Sequence, residues 1–92
     1  MSDRHIPEEV QQEMLSRLRR IEGQARGVQR MVQEQRDCAE IVHQLASIRA
    51  ATQGATLFLL KHYARDCWVE AASQGAQQPI DDWLELVFRA SP

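Results

Sequence analysis

Apolar residues in the first third of the chain recur at the spacing of an α-helix, and no segment alternates apolar with polar residues. The steps of three, four or seven residues place one stripe on a single helix face: Val10, Met14, Leu18, Ile21, Val28 and Val32. Pro7 followed by Glu8 and Glu9 suits the first turn of a helix. The pattern therefore predicts a first helix from about residue 7 to residue 35.

Two glycines, Gly23 and Gly27, lie inside this predicted helix. Each destabilises a helix interior by ~1 kcal/mol relative to alanine, so a structural reason to keep both is needed. We expect a neighbouring backbone to approach the helix closely at these two positions.

A second, much longer helix is predicted after Asp37, because Asp37 and Glu40 have the spacing of a capping box. The helical stripe then continues through Ile41, Leu45, Ile48, Ala55 and Leu59. This helix should run from about residue 38 to residue 73 and end near Gly75, and a short third helix should start at Pro79. Residues 1–92 are therefore predicted to form a single all-α domain of three helices.

The length of the central helix predicts self-association. A helix of about 36 residues is ~54 Å long, whereas a compact chain of this size has a radius of gyration near ~12 Å. Its apolar stripe therefore needs a partner, and a second copy of the chain can supply one. We expect a two-fold antiparallel four-helix-bundle dimer, with the small residues around Gly54 allowing the two long helices to cross.

The two cysteines support the same arrangement. Cys38 and Cys67 are 29 residues apart, which is about eight turns, so both sulfurs lie on one side of the helix about 43 Å apart. In an antiparallel pair that crosses between Thr52 and Gln53, Cys38 of one chain approaches Cys67 of the other. Such thiols could hold a soft metal, form a disulfide or be bridged by added sulfur. The alternative is that both are inert core cysteines.

Cys38 also lies at the start of the predicted helix, where the positive end of the helix dipole favours a thiolate. A metal site would need a third ligand, but His62 is rotated by about 100° from the face of Cys67 and His43 lies off the face of Cys38. His5 lies on an N-terminal arm. We therefore expect these histidines at the surface. No motif of a known catalytic site is present, and the sequence does not predict an enzyme.

Charge is distributed unevenly along the chain, which has a formal net charge of -2. Seven arginines but only four acidic residues lie between positions 17 and 49. One face can therefore be positive, and guanidinium groups bind phosphate in a bidentate geometry; the alternative is an ordinary solvated helix surface. The chain has only two cysteines and no secretory signal, which predicts a cytoplasmic protein with reduced thiols. It has no apolar run of ~18–20 residues, so we expect no membrane contact.

Several motifs resemble the CsoR/RcnR/FrmR family of small bacterial repressors over roughly residues 10 to 88. They are Arg17-Leu18-Arg19-Arg20-Ile21-Glu22-Gly23-Gln24, then Arg26-Gly27-Val28, Cys38, and the run from Gln44 to Ala51 that contains Arg49. The resemblance is closest to the two-cysteine, persulfide-sensing (CstR-like) branch. It implies a dimer of dimers that binds operator DNA without a helix-turn-helix and releases it when an effector occupies a site between subunits.

The resemblance also implies roles for individual residues. The basic DNA-contacting positions of the family are matched by Arg17, Arg19, Arg20 and Arg49, and its effector thiols by Cys38 and Cys67. Copper sensors carry a histidine where this chain has Tyr63, beside His62. Glu85 matches a carboxylate on the third helix that is linked to the effector site in copper sensors.

These matches predict a repressor without a resident cofactor whose operator binding is released when reactive sulfur species cross-link Cys38 and Cys67 between subunits. The bridge would be a di-, tri- or tetrasulfide. The alternative effector is copper(I), held by the same two thiolates with His62 or His5 assisting. Nickel and cobalt sensors need histidines at the positions of Tyr63 and Cys67, and formaldehyde sensors carry a proline where this chain has Ser2. A helical adaptor for a protein partner is the alternative outside this class.

Overall fold

The computed structural model describes residues 5–90, which form three α-helices and no strand. Helix α1 spans Glu8–Gln33, α2 spans Cys38–Gln74 and α3 spans Gln78–Ala90. These bounds agree to within two residues with both ends predicted for α1 and α2 and with the start predicted for α3. The all-α prediction, with one long and unbroken central helix, is therefore confirmed. Ser2 and the rest of the first four residues lie outside the described part of the chain.

Local side chains decide where α2 begins. The Asp37 carboxylate accepts a hydrogen bond from the backbone N–H of Ala39 at 3.2 Å, which confirms Asp37 as the helix cap. Glu40 does not complete the predicted capping box, because its carboxylate accepts a hydrogen bond from the Arg36 Nε at 3.1 Å. A charged guanidinium is a stronger donor to a carboxylate than a backbone amide is.

Both long helices end with a residue in the left-handed conformation. Gln35 has φ 55° and Gly75 has φ 64°. The N–H of Arg36 donates to the carbonyl of Met31 at 2.9 Å, and the N–H of Ala76 donates to that of Ala71 at 3.3 Å. These bonds define a Schellman motif after each helix. Its left-handed position is occupied by Gly75 after α2 and by the less suited Gln35 after α1.

Helices α1 and α3 both pack on α2. Along α1, the side-chain amide of Gln24 donates to the hydroxyl of Ser47 at 3.3 Å, which fixes the antiparallel register of α1 and α2. On the other side, the indole N–H of Trp83 donates to the carbonyl of Leu60 at 2.8 Å. Trp83 also meets the ring of Trp68 edge-on, with centroids 5.3 Å apart. Helix α3 is thus held near the C-terminal half of α2.

The protomer is elongated and has a small core. Its radius of gyration is 17.4 Å and its extents are 57 × 27 × 16 Å, whereas a compact chain of this length would have a radius of gyration near ~12 Å. Among the described residues, the buried apolar side chains of the core are Val10, Ala55 and Cys67. Such a core is small for a stable domain, which agrees with the predicted need for a second copy.

The glycine prediction is wrong within the protomer. A Cβ atom added to Gly23 or Gly27 would meet nothing within 4 Å, so no backbone approaches either position. The contact between α1 and α2 follows Met14, Arg17 and Gln24, and Gly23 is exposed on another side of α1. In the described part of the chain, none of the helices is long and apolar enough to cross a membrane.

Candidate effector site and basic surfaces

The two thiols lie near opposite ends of the uninterrupted helix α2. Cys38 is its first residue and is exposed, whereas Cys67 is 0 % exposed. At 1.5 Å of rise per residue the sulfurs are about 43 Å apart, so one protomer does not bring them together. Their separation of about eight turns places them on one side of α2, as predicted.

Cys38 is flanked by a short ion pair. The Arg36 Nη2 atom lies 3.0 Å from the Glu40 carboxylate, and the two side chains bracket the first turn of α2. His43 lies with them in a shallow depression of the surface. Cys38 itself does not line this depression, and its thiol is open to solvent and small reactants.

Helix α3 docks close to the other thiol, which is buried. Cys67 follows Leu60 by seven residues, so it lies two turns further along the same face of α2, and Trp83 of α3 bonds to the Leu60 carbonyl. The adjacent Trp68 packs edge-on against Trp83. The burial of Cys67 agrees with the alternative of a core cysteine for this thiol, whereas Cys38 is exposed and does not.

The histidines do not complete a metal site with either cysteine. The His62 ring packs edge-on against Phe58 with centroids 4.9 Å apart, on the side of α2 that faces α1. His5 lines a small cavity with Tyr63 and Asp66. Within residues 5–90, no three His, Cys, Asp or Glu side chains are grouped so that they could hold a metal ion.

A long apolar groove runs between α1 and α3 over the middle of α2. Its volume is about 610 Å³. It is lined mainly by aliphatic residues and includes Thr52, at the predicted crossing point, and Tyr63; the other lining residues are Ile6, Met14, Leu18, Ile21, Ala55, Thr56, Leu59, Leu60, Leu86, Arg89 and Ala90. The groove therefore lies on the part of α2 between the two thiols. Glu85 is exposed on α3, next to Leu86 of the groove wall.

Arg17 is held in place on the opposite side of α2. Its guanidinium carbon lies 4.8 Å from the centroid of the Phe58 ring, and its Nε donates to the Glu13 carboxylate at 3.1 Å. A Cβ atom added to Gly54 would lie 3.6 Å from Arg17 Nη1. This distance is ordinary van der Waals contact, and it shows that the guanidinium lies directly over α2 at Gly54.

The other three arginines suggested by the resemblance do not all share this side. Arg19 and Arg20 are exposed on α1, and consecutive residues point about 100° apart. Arg49 is exposed on α2, nine residues before Phe58, which is about 2.5 turns and places it on the opposite side of the helix. The protomer therefore brings Arg20 near Arg17, one turn away, and separates Arg49 from both.

Sequence reasoning missed three residues near Arg17. Phe58, Lys61 and Arg65 line one small surface pocket together with His62. The spacing of four, three and four residues from Gly54 through Phe58 and Lys61 to Arg65 signals one helix face, but only Arg17 reveals that this face is next to α1. We refer to the surface of Arg17, Gly54, Phe58, Lys61 and Arg65 as the Phe58 face.

Comparisons with known proteins all find similarity to metal-sensing transcriptional repressors. The model of a family described as "Metal-sensitive transcriptional repressor" matches residues 10–89. The copper-sensing transcriptional repressor CsoR of Bacillus subtilis is 35 % identical over 83 residues, which cover 89 % of this chain and 82 % of that protein. The copper-sensing repressor RicR of Mycobacterium tuberculosis is 36 % identical over 59 residues, covering 64 % and 62 % of the two chains.

Solved structures give the same result for the fold. The nickel-responsive transcriptional regulator InrS superposes with a TM-score of 0.83 at 33 % identity, covering 99 % of this chain and 98 % of InrS. The copper-sensing repressor CsoR from Geobacillus thermodenitrificans, solved with Cu(I), gives a TM-score of 0.81 at 33 % identity over 97 % and 92 % of the chains.

Proposed function

This chain belongs to the metal-sensitive transcriptional repressor family, and we propose that it is a cytoplasmic repressor whose operator binding is controlled by an effector at Cys38 and Cys67. The proposal includes assembly into an antiparallel dimer and a tetramer of two dimers. In this proposal Arg17, Arg19 and Arg20 contact DNA phosphates, which makes operator binding dependent on salt. Arg49, which the resemblance also suggests, lies on the opposite side of α2 from Arg17. It involves no enzymatic step.

The observation that carries the proposal is the continuity of α2. One unbroken helix holds both thiols on one side, and the apolar groove lies between them. If a second α2 lies antiparallel along this groove and crosses near Thr52, symmetry brings Cys38 of each protomer to Cys67 of the other. The dimer then has two equivalent effector sites, each built from both subunits.

Copper(I) is the effector that the relatives favour, since both curated relatives are named copper-sensing. The donor set fits a soft ion in part: thiolates select copper(I), and two of them would hold it between subunits. The third position is occupied by Tyr63, whose phenol is a poor ligand for a soft metal. The structure therefore supports a two-thiolate site in which the metal supplies a bond between the protomers.

Reactive sulfur is the second candidate effector, and Tyr63 is the observation that favours it. A thiol pair without a third soft donor is still able to react. The Cys38 thiolate attacks the terminal sulfur of an organic persulfide, forming a sulfur–sulfur bond and expelling the organic thiolate. Cys67 of the second protomer then attacks the Cys38 sulfur and expels hydrosulfide, leaving an intersubunit disulfide.

Release of DNA requires that the effector favour one conformation over another. Cys67 is 0 % exposed and lies close to the place where α3 docks on α2, so in this proposal a shift of α3 lets a metal or a second sulfur reach it. In this proposal the occupied site holds α3 and α2 in an altered packing, and the altered packing binds DNA more weakly. The coupling free energy equals the difference in effector affinity between the two packings.

The effector is tested on reduced protein bound to a fluorescent duplex of the promoter upstream of its own gene. The complex is titrated with copper(I) or with glutathione persulfide, and release of the duplex is measured. If copper(I) is the effector, DNA is released at one ion per Cys38–Cys67 pair with thiolate-to-copper absorption, and the protomer mass is unchanged after metal removal.

If reactive sulfur is the effector, the persulfide releases DNA and a dimer mass appears under non-reducing conditions. Cys67→Ser should abolish that cross-link and Cys38→Ser should abolish both responses, whereas His43→Ala is the matched control. Release by both agents in the Cys38→Ser variant would contradict the effector site itself.

A further inference from the structure

The Phe58 face gathers basic side chains around one aromatic ring. Arg17 lies over the Phe58 ring, Lys61 and Arg65 line one pocket with Phe58, and His62 packs against the same ring. The three ion pairs within the described residues join Glu13, Glu22 and Glu40 to arginines, and neither Lys61 nor Arg65 takes part in them. Both cations are therefore available to an external anion.

The face forms a continuous line along the hairpin of α1 and α2. Gly54, Phe58, Lys61 and Arg65 follow one another at helical spacing, and Arg17 of α1 lies over the first two. Arg20 continues the line by one turn of α1. From the level of Arg20 to Arg65 the line extends for ~20 Å, about the rise of six phosphates along one DNA strand.

Its position keeps this face free in the proposed dimer. The apolar groove is lined by Thr52, Thr56 and Tyr63, whereas Gly54 and Phe58 are absent from its walls. A second copy seated in the groove therefore covers the side of α2 opposite to Phe58. The same geometry places Arg49 on the side of the groove, where a second protomer approaches.

We infer that the Phe58 face is the main phosphate-contacting surface for DNA, with Lys61 and Arg65 as contact residues and Phe58 as a positioning residue for Arg17. This inference rests on the proposed repressor function and extends its DNA surface into the C-terminal half of α2. The Phe58 ring holds the guanidinium by a cation–π contact, and Glu13 holds the Nε atom. The two terminal nitrogens of Arg17 are left to face a phosphate.

The test measures binding of two fluorescent duplexes, the promoter upstream of the gene and a scrambled one, over a range of salt. Lys61→Ala and Arg65→Ala should each weaken binding of both duplexes about three- to tenfold, because phosphate contacts carry no sequence information. Each substitution removes one phosphate contact from every protomer that binds the duplex. The plot of log affinity against log salt should therefore become less steep by about 0.9 for each such protomer.

Arg30→Ala is the matched control. Arg30 is exposed on α1, 13 residues and thus ~20 Å from Arg17, and its removal changes the net charge equally. It should change the affinity by less than about twofold, since a distant exposed charge is largely screened. Equal losses in Arg30→Ala, Lys61→Ala and Arg65→Ala would show an effect of net charge alone and overturn the inference.

Phe58 and Glu13 are tested separately. Phe58→Leu should weaken binding about two- to fivefold by removing the ring face beneath Arg17, and Phe58→Tyr should restore it. Glu13→Gln should strengthen binding about twofold by removing a negative charge from the face. Loss of affinity in Phe58→Tyr equal to that in Phe58→Leu would exclude the positioning role.

The two proposals fail differently. If wild-type protein binds neither duplex at low salt, the repressor function itself is wrong. If wild-type protein binds but the Lys61→Ala/Arg65→Ala double variant binds equally well with the same salt slope, DNA binding stands and the Phe58 face is not its surface. A helical circular dichroism spectrum equal to that of wild type ensures that each variant is folded.

Discussion

Tyr63 lies one turn before Cys67 and lines the apolar groove. The resemblance to copper sensors implies a histidine at this position. The difference between a phenol and an imidazole is a difference in ligand softness, and it affects copper(I) far more than it affects sulfur chemistry. The side chain at this single position therefore separates the two candidate effectors.

At the residue scale, we predict that Tyr63→His raises the affinity for copper(I) about tenfold or more, because the imidazole adds a third ligand beside the two thiolates. Competition with a chromophoric copper(I) chelator measures the change. Tyr63→Phe is the control, and it should bind copper(I) within about twofold of wild type, since it removes only a poor ligand. A Tyr63→His variant no tighter than Tyr63→Phe would place the copper ligands elsewhere.

Gln35 is the second residue with a measurable consequence. It adopts φ 55° at the end of α1, a conformation in which a side chain is strained. We predict that Gln35→Gly stabilises the protein by about 0.5–1 kcal/mol, the relief of strain exceeding the entropy that glycine gains in the unfolded chain. Urea denaturation measures the difference.

Gly75 provides the opposite control for this prediction. It occupies the equivalent position after α2 with φ 64°. Gly75→Ala should destabilise the protein by about 1 kcal/mol for the same steric reason. If both substitutions shift the free energy of unfolding in the same direction, the strain at these two turns does not control stability.

At the scale of elements, we infer that α3 limits access to the buried Cys67. Its attachment depends on the Trp83 hydrogen bond to Leu60 and on the edge-on contact with Trp68. A short helix held by few contacts opens more easily than the long hairpin of α1 and α2. Access to Cys67 should therefore be limited by the opening of α3.

We predict that Trp83→Phe increases the rate at which iodoacetamide alkylates Cys67 by about two- to tenfold, because a lost hydrogen bond costs about 0.5–1.5 kcal/mol of docking free energy. The measurement uses a Cys38→Ser background. Alkylation of the exposed Cys38, in a Cys67→Ser background, should be unaffected by Trp83→Phe. An unchanged Cys67 rate would mean that α3 does not control access to this thiol.

At the scale of the whole molecule, the apolar groove should be buried by a second copy. Leu18 lines the groove and is 48 % exposed in the protomer, whereas Leu57 is also 48 % exposed but lies outside it. We predict that Leu18→Glu shifts the protein to smaller assemblies by at least about tenfold in dissociation constant, since a charge buried without a partner is strongly unfavourable. Sedimentation equilibrium measures this change.

Leu57→Glu should leave assembly unchanged, because its side chain stays in water on another side of α2. Each of the two variants removes a leucine of the same exposure and adds the same negative charge. If the two variants dissociate alike, the interface does not follow the groove, and the meeting of Cys38 with Cys67 of a second protomer loses its basis.

The sequence alone determined the helices, their ends and the order of the two thiols along α2. These features depend on nearby residues: Asp37 caps α2 and Gly75 ends it, while the helical spacing of apolar residues extends over the whole length between them. The one local error, the capping role of Glu40, arose because Arg36 competes for the same carboxylate.

Only the tertiary structure decided which side chains meet across helices. It buried Cys67, left Gly23 open, and placed Arg17 on Phe58, more than 40 positions further along the chain. Periodicity places a residue on a face of its own helix, but it does not specify the rotation at which another helix docks. That rotation is fixed by the complementary packing of side chains far apart in sequence, which no local pattern encodes.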